Sequence, residues 1–208
     1  MLQRIIICLI VGYLCGCFST SYFIGKANNI DIRKYGSGNA GTTNALRTLG
    51  MKAGILTFLG DALKAIIPIL IVSFLVFQNR ADVSLLALYT GLGVVLGHNF
   101  PFWLNFKGGK GIAATGGVML AFDWRLGLVA FIVFLVSVAV TRYVSVGSLL
   151  ISLLFPVGVL VFYPGNIHML VISFLFTILA FVKHRANIQR LMKGTENKLG
   201  QKIKIEDK

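Results

Sequence analysis

Acidic side chains are scarce in this sequence. Seven Asp and Glu stand against twenty Lys and Arg in 208 residues, for a formal net charge of +13. No stretch gathers several carboxylates, which excludes a magnesium site of the usual kind. Histidine occurs only as His98, His168 and His184, and these form no cluster for zinc. The three cysteines, Cys8, Cys15 and Cys17, lie in one apolar run. Sulfurs on a single membrane-embedded helix supply neither a disulfide framework nor a complete zinc site, and small apolar packing residues are the simpler reading.

What is abundant is hydrocarbon. The hydrophobic set makes up 56% of the chain, with a mean hydropathy of +0.82, far above a water-soluble domain of this length. Several apolar runs approach the roughly 20 residues that cross a bilayer as a helix, whereas a barrel needs alternating strands of about ten. The expected architecture is an all-α integral membrane protein with spans over 4–24, 53–77, 83–98, 112–122, 125–141, 145–162 and 166–183. The first run follows Arg4 as a secretory signal would, but it is too long and lacks a small-x-small cleavage site, so it reads as an uncleaved span.

Charge distribution sets the topology. Seven transmembrane helices with the N-terminus outside and the C-terminus cytoplasmic put Lys26, Arg33, Lys34, Arg47, Lys52, Lys107, Lys110, Arg142 and the eight Lys and Arg from Lys183 to Lys208 inside. Only Arg4, Arg80 and Arg125 then lie outside, as the positive-inside rule requires, with Lys64 within a span. Removing the short fourth span leaves eleven inside and eight outside, a weaker bias. The seven-span arrangement also brings the polar loops 25–52, 99–111 and 142–148 and the tail to one face, leaving short outer connections at Gln78–Asp82, Asp123–Arg125 and Tyr163–Asn166. No internal repeat is evident, and no basic, aromatic-studded soluble segment exists to bind nucleic acid.

Four polar clusters could carry chemistry. In Gly36-Ser37-Gly38-Asn39-Ala40-Gly41-Thr42-Thr43-Asn44-Ala45-Leu46-Arg47, glycines permit close backbone approach and Thr42 or Thr43 can cap a short helix that Gly50 ends. Free N–H groups at that start make an anion site, and Arg47 can lean back towards it. An ordinary capped re-entrant turn explains the same spacing. In the second cluster, Lys107-Gly108-Gly109-Lys110-Gly111 before an apolar helix resembles a phosphate cradle but not a Walker A loop. Its neighbours Pro101, Phe102, Trp103 and Phe106 read as interfacial anchors. In the third, Arg142-Tyr143-Val144-Ser145, Ser145 is placed to cap the sixth span. The fourth puts His184 and Asn187 on one helix face. Asp61 and Lys64, one turn apart inside a span, read as an intrahelical pair.

Together, Gly36-Ser37-Gly38-Asn39 through Thr43-Asn44 and Arg47, Gly97-His98-x-Phe100-Pro101 through Lys107-Gly108-Gly109-Lys110-Gly111, Arg142-Tyr143-Val144-Ser145, and His184-Arg185-x-Asn187-Ile188-x-Arg190-Leu191 with Gly194-Thr195-Glu196 resemble the bacterial acyl-phosphate:glycerol-3-phosphate acyltransferases. The resemblance covers nearly the whole chain, in order. It implies a single transmembrane acyltransferase domain over 1–208, with a basic cytoplasmic tail from about residue 184. The implied enzyme, multi-pass in the bacterial inner membrane, moves a fatty acyl group from acyl phosphate to the sn-1 hydroxyl of glycerol 3-phosphate. It gives lysophosphatidic acid and phosphate for phospholipid synthesis, on the cytoplasmic side, with no metal or nucleotide cofactor and no obligate protein partner.

By motif position, the resemblance makes Ser37, Arg47, Lys107, Lys110, His184 and Asn187 the catalytic set. Gly38, Asn39, Gly41, Thr42, Thr43, Asn44, Gly108, Gly109, Gly111, Arg142 and Ser145 become substrate-binding, and Glu196 structural. Two departures from the family pattern are Gly16-Cys17-Phe18-Ser19, where the family usually has Gly-Ser-Ile-Pro, and Ala65, where it often has Gly. The first puts helix shape in doubt rather than activity.

Rival classes fit less well. The other acyltransferases of this acceptor use His-x-x-x-x-Asp, but Trp103, Ser173 and Gln189 stand five residues after the three histidines. A CDP-alcohol phosphotransferase needs clustered aspartates. A phosphate-ester transporter would use the same basic pocket but line a path through the midplane rather than one face.

Overall fold

The computed structural model describes residues 1–76 and 82–201. Arg80, most of the Gln78–Asp82 connection, and Lys202, Lys204 and Lys208 of the basic tail lie outside the described residues. Those that are described form ten α-helices and no strand. They are α1 Leu2–Gly16, α2 Thr20–Ala27, α3 Thr42–Leu49, α4 Met51–Ile71, α5 Val83–Asn99, α6 Ile112–Phe122, α7 Trp124–Thr141, α8 Val144–Phe162, α9 Ile167–Lys183 and α10 Arg185–Met192.

Five of these stretches are long and apolar enough to cross a membrane, and a sixth counts if α9 and α10, bent by 60°, are one span. The fourth expected span, α6, has its predicted bounds but only 11 residues, about 16 Å of helix against a hydrocarbon core of about 30 Å. The outward faces carry large apolar side chains such as Leu14, Phe74, Leu135 and Val140, because lipid tails solvate them as well as a protein core would.

The middle of the bundle is built on small residues. Lipid gives no hydrophobic drive for helices to meet, so close packing holds them. Helix α5 is the most enclosed span. Its Gly93 and Gly97 face Gly12 and Gly16 of α1 so closely that a methyl group on Gly97 would strike the Tyr13 carbonyl, and one on Gly16 the Val94 carbonyl. The two helices run parallel, pinned at their starts by Arg4 and Asp82 at 2.8 Å. Around them Leu88, Val94, Val118, Met119, Phe155 and Phe176 fill the core.

The first expected span, 4–24, falls within a single apolar stretch from Leu2 to Ala27, and the helix is interrupted where its shape was in doubt: α1 stops at Gly16 and α2 starts at Thr20, with Ser19 extended at φ −108° and ψ 96°. The break stands without proline because other side chains take up the freed carbonyls. Trp103 Nε1 donates to Cys17 O at 2.9 Å, and Lys64 Nζ donates to Phe18 O at 2.6 Å. Irregular backbone at membrane depth survives only when it is satisfied in this way.

Candidate active site

All four motifs reach the same end of the bundle. The first folds into a loop whose backbone turns at Gly36 and Gly38, with φ of +60° and +69°. Asn44 organises it: its buried Oδ1 accepts from Ser37 N at 2.9 Å and Ser37 Oγ at 3.2 Å. Its Nδ2 donates to Ile32 O and Tyr35 O, both at 3.0 Å. The Asn44 carboxamide therefore spends all its capacity shaping the loop around Ser37. The sequence also allows Thr42 or Thr43 as helix cap. The structure instead caps α3 with Gly41 and shows no capping side chain, so the first-turn N–H groups of α3 are left uncovered by the chain's own hydroxyls. Gly50 ends α3 at φ +88°, as expected.

The second motif lies against the first. A tight turn, closed by Phe106 N donating to Pro101 O at 3.0 Å, leads into the glycines. Gly109 N donates to His98 O at 3.0 Å and Gly108 N to Asn99 O at 3.3 Å. A methyl group on Gly109 would meet the Ala40 carbonyl of the first motif at 2.7 Å, so this position has no room for a side chain. Gly111 starts α6 with φ +81° and no capping side chain. Lys110 is half-buried and Lys107 exposed.

The third and fourth motifs close the ring through the segment after α10. Glu196 is its hub: Oε1 accepts from Ser145 Oγ at 3.0 Å and Asn187 Nδ2 at 2.7 Å, and Oε2 from Arg190 Nε at 2.7 Å. Asn187 Oδ1 in turn accepts from Lys110 Nζ. Arg47 Nη2 donates to Asn197 O at 3.2 Å. Arg142 ends α7 with φ +64°, stays exposed, and pairs its carbonyl with Leu199 N at 2.7 Å. Ser145, expected to cap α8, does not. Tyr143 holds the cap position, and the Ser145 hydroxyl is committed to Glu196.

Sequence reading thus places Ser37, Arg47, Lys110, Ser145, His184 and Asn187 at one end, and the structure brings Arg47, Lys110, Ser145 and Asn187 into one linked group with Glu196 and Arg190. Lys107 and Arg142 lie at exposed positions beside it. The family resemblance makes Glu196 structural and gives Arg190 no role. The one available signal was that Glu196 is among only seven acids.

Burial and repulsion among neighbouring cations set the electrostatics of this group. Burial pushes the Lys110 ammonium down to about 8, against the pull of Glu196, and Arg190, Arg47 and Lys183 add repulsion. Burial likewise lowers Arg47. Burial would raise the Glu196 carboxyl, but donors on Asn187, Arg190 and Ser145 outweigh it and hold the group below its usual value. At the α9–α10 bend, burial and then the Lys110 charge push His184 down to about 4, so its ring is neutral. Nδ1 of that ring lies 2.8 Å from Ala180 O and donates to it, leaving Nε2 with a lone pair. Among the described residues, Thr42 Oγ1 and Arg47 Nε are buried without a hydrogen-bond partner. Among those residues no group of three His, Cys, Asp or Glu could hold a metal ion.

A family model described as glycerol-3-phosphate acyltransferase matches residues 6–194. A glycerol-3-phosphate acyltransferase of Clostridioides difficile strain 630 is 44% identical over 198 residues, covering 95% of this chain and 96% of the relative. One from Thermoanaerobacter sp. strain X514 is 42% identical over 197 residues, covering 94% and 96%. The crystal structure of PlsY (YgiH), an integral membrane glycerol 3-phosphate acyltransferase, in its glycerol 3-phosphate form superposes with a TM-score of 0.83 at 37% identity, covering 94% of this chain and 96% of that one. Its lysophosphatidic acid form gives 0.81 at 36% identity, covering 94% and 95%. Sequence and fold agree from the first span to the last motif, and the chain belongs to the glycerol-3-phosphate acyltransferase family.

Proposed function

We propose that this enzyme transfers a fatty acyl group from acyl phosphate to the sn-1 hydroxyl of glycerol 3-phosphate, releasing lysophosphatidic acid and inorganic phosphate. The observation that carries the reading is the gathering of Arg47, Lys110 and Arg190 close enough to repel one another, with Arg47 Nε buried and without a hydrogen-bond partner. A phosphate dianion supplies what that group lacks. Acyl phosphate is a mixed anhydride whose phosphate leaves readily once cations and N–H donors neutralise the developing charge, so positioning and electrostatics supply most of the rate.

In this mechanism the acceptor hydroxyl attacks the acyl carbonyl, the acyl–phosphate C–O bond breaks, and the hydroxyl proton passes to a phosphate oxygen. Arg47 and the uncapped start of α3 bind one phosphate, while Lys107, Lys110 and the start of α6 after Gly111 bind the other, with Gly108 and Gly109 giving room for close approach because their N–H groups are held by Asn99 O and His98 O. Ser37 lends a hydroxyl at the loop that Asn44 shapes. Asn187 and Ser145 hold the acceptor side, with Glu196 fixing both, and Arg142 ties the closing segment to α7. His184 Nε2 orients the acceptor hydroxyl, because a neutral ring with so low a proton affinity is a weak base. No metal or nucleotide enters any step.

Seven spans, an outside N-terminus and a cytoplasmic site in the inner membrane complete the reading, with one domain and no obligate protein partner. Its support is the charge distribution of the sequence, with α6 as the short fourth span, seated against α4 where a methyl group on Gly117 would meet the Ala62 carbonyl at 2.5 Å. The purified chain in detergent should release phosphate from acyl phosphate only when glycerol 3-phosphate is present. Acylation from a thioester donor instead would refute the assignment of the donor, and no acylation at all would favour a transporter.

A further inference from the structure

Beneath the phosphate-binding loop lies a charged network that the mechanism above does not use. Lys64 Nζ lies 2.9 Å from Asp61 Oδ1, 2.6 Å from Phe18 O and 2.7 Å from His98 Nδ1. Thr20 Oγ1 donates to Asp61 Oδ1 at 3.2 Å. Asp61, Lys64 and His98 are all buried. The sequence predicts only the intrahelical pair of Asp61 and Lys64; the third member comes from 34 residues further on.

A proton inventory fixes the ring. An ammonium has three N–H donors, and here each has an acceptor: a carboxylate, a carbonyl and an imidazole nitrogen. His98 Nδ1 therefore accepts from Lys64 at 2.7 Å, with Asp61 Oδ1 standing off at 3.6 Å, and the single ring proton is assigned to Nε2. That edge of the ring faces Gly109, where a methyl group would collide with it. His98 also holds the loop by its backbone, through Gly109 N donating to His98 O at 3.0 Å. The same cluster thus touches the break in the first span at Phe18 and Thr20, the middle of α4, and the glycine that packs on Ala40 of the first motif.

We propose that Asp61, Lys64 and His98 form a positioning network that locks the His98 ring under Gly109 and so sets the distance between the first-motif loop and the Lys107–Gly111 loop. The three are positioning residues, acting through loops that hold phosphate. The inference rests on the proposed phosphate-binding role of those loops. A purely structural salt bridge would be indifferent to the ring; a positioning network is not, since a displacement of about 1 Å at a reacting group costs up to about a hundredfold in rate.

The test uses the full chain purified in detergent, with kcat and KM for glycerol 3-phosphate and the thermal midpoint read on each variant. His98→Asn keeps an acceptor for Lys64 but withdraws the ring from Gly109. Asp61→Asn combined with Lys64→Met removes both charges at once, so neither is left buried alone. Each is expected to lower kcat/KM for glycerol 3-phosphate at least about tenfold; His98→Asn should largely keep the wild-type thermal midpoint, whereas the double variant, which also strips the Phe18 carbonyl of its donor, should lower it. His98→Gln, whose longer side chain still reaches Gly109, should recover part of the loss. Wild-type kcat and KM in either of the first two variants overturns the proposal, as does a loss that follows the thermal midpoint and is the same for Asn and Gln at position 98. Failure of the donor assignment is separately visible, because the wild-type chain itself would then not turn over acyl phosphate.

Discussion

The sharpest consequence of the site's electrostatics concerns Lys110. Its ammonium is pushed down to about 8 by burial, from an ordinary 10.5. About nine-tenths of free chains are then charged at pH 7 and only about one-tenth at pH 9. Loss of one unit charge about 4 Å from another, at an effective dielectric of about 20, removes about 4 kcal/mol, or about three powers of ten in binding of the transition state. The kcat/KM for glycerol 3-phosphate should therefore fall about tenfold per pH unit above 8. The sign follows from the group being a base: the competent, protonated form is present below the folded pKa and lost as pH rises through it. Bound phosphate raises that pKa, so the limb should move up or vanish in kcat, which reports the complex. Lys110→Arg keeps the charge at every accessible pH and should abolish the limb even at a lower plateau. The assay is initial phosphate release from pH 6 to 9.5 at subsaturating acceptor. A flat wild-type profile, or a limb near pH 8 that persists in Lys110→Arg, would refute the reasoning.

Arg47→Ala should cost about a hundredfold to a thousandfold in kcat/KM, with Arg47→Lys recovering part; the thermal midpoint should change little, since Arg47 makes one side-chain bond, to Asn197 O at 3.2 Å. Glu196→Gln should lower the thermal midpoint at neutral pH by several degrees, because three donors lose a charged acceptor. The Glu196 carboxyl is held below its usual value, so its contribution is complete above the ordinary carboxylate range and lost as pH falls through the folded value; thermal scans should show the gap from wild type closing at acid pH. Gly97→Ala should destabilise by about 1–3 kcal/mol by forcing α1 and α5 apart, whereas Gly116→Ala, which meets nothing within 4 Å, should be neutral or stabilising in the same denaturation assay. For His184→Gln, kcat should fall modestly; a collapse of kcat at unchanged KM would mean that the ring is the proton acceptor.

The span positions were legible because hydropathy alone dictates where backbone can sit in lipid, and six of seven expected spans fall within a few residues of observed helices. The first lies where hydropathy puts it but is interrupted. Nothing local at Cys17-Phe18-Ser19 ends a helix; the carbonyls freed there are satisfied by Trp103 and Lys64, partners distant in sequence. The same limit explains the caps. Thr42 and Ser145 are residue types that cap helices, but both fall just inside the helix start, behind Gly41 and Tyr143, and Glu196, 51 residues from Ser145, takes the Ser145 hydroxyl. Motif by motif, the sequence also picked out polar stretches that the fold brings to one end of the bundle. It did not show that Asn44 builds the first loop, or that His98 belongs with Asp61 and Lys64, because both depend on side chains meeting in space.

Calorimetric titration of glycerol 3-phosphate into the purified chain tests the anion-capture claim without any donor. The wild-type chain should bind, and Arg47→Ala and Lys110→Met should each show binding weakened at least about a hundredfold, as expected when a bound dianion loses one counter-charge. Wild-type affinity in both variants would mean that the phosphate is held elsewhere, and the account of this site would fail.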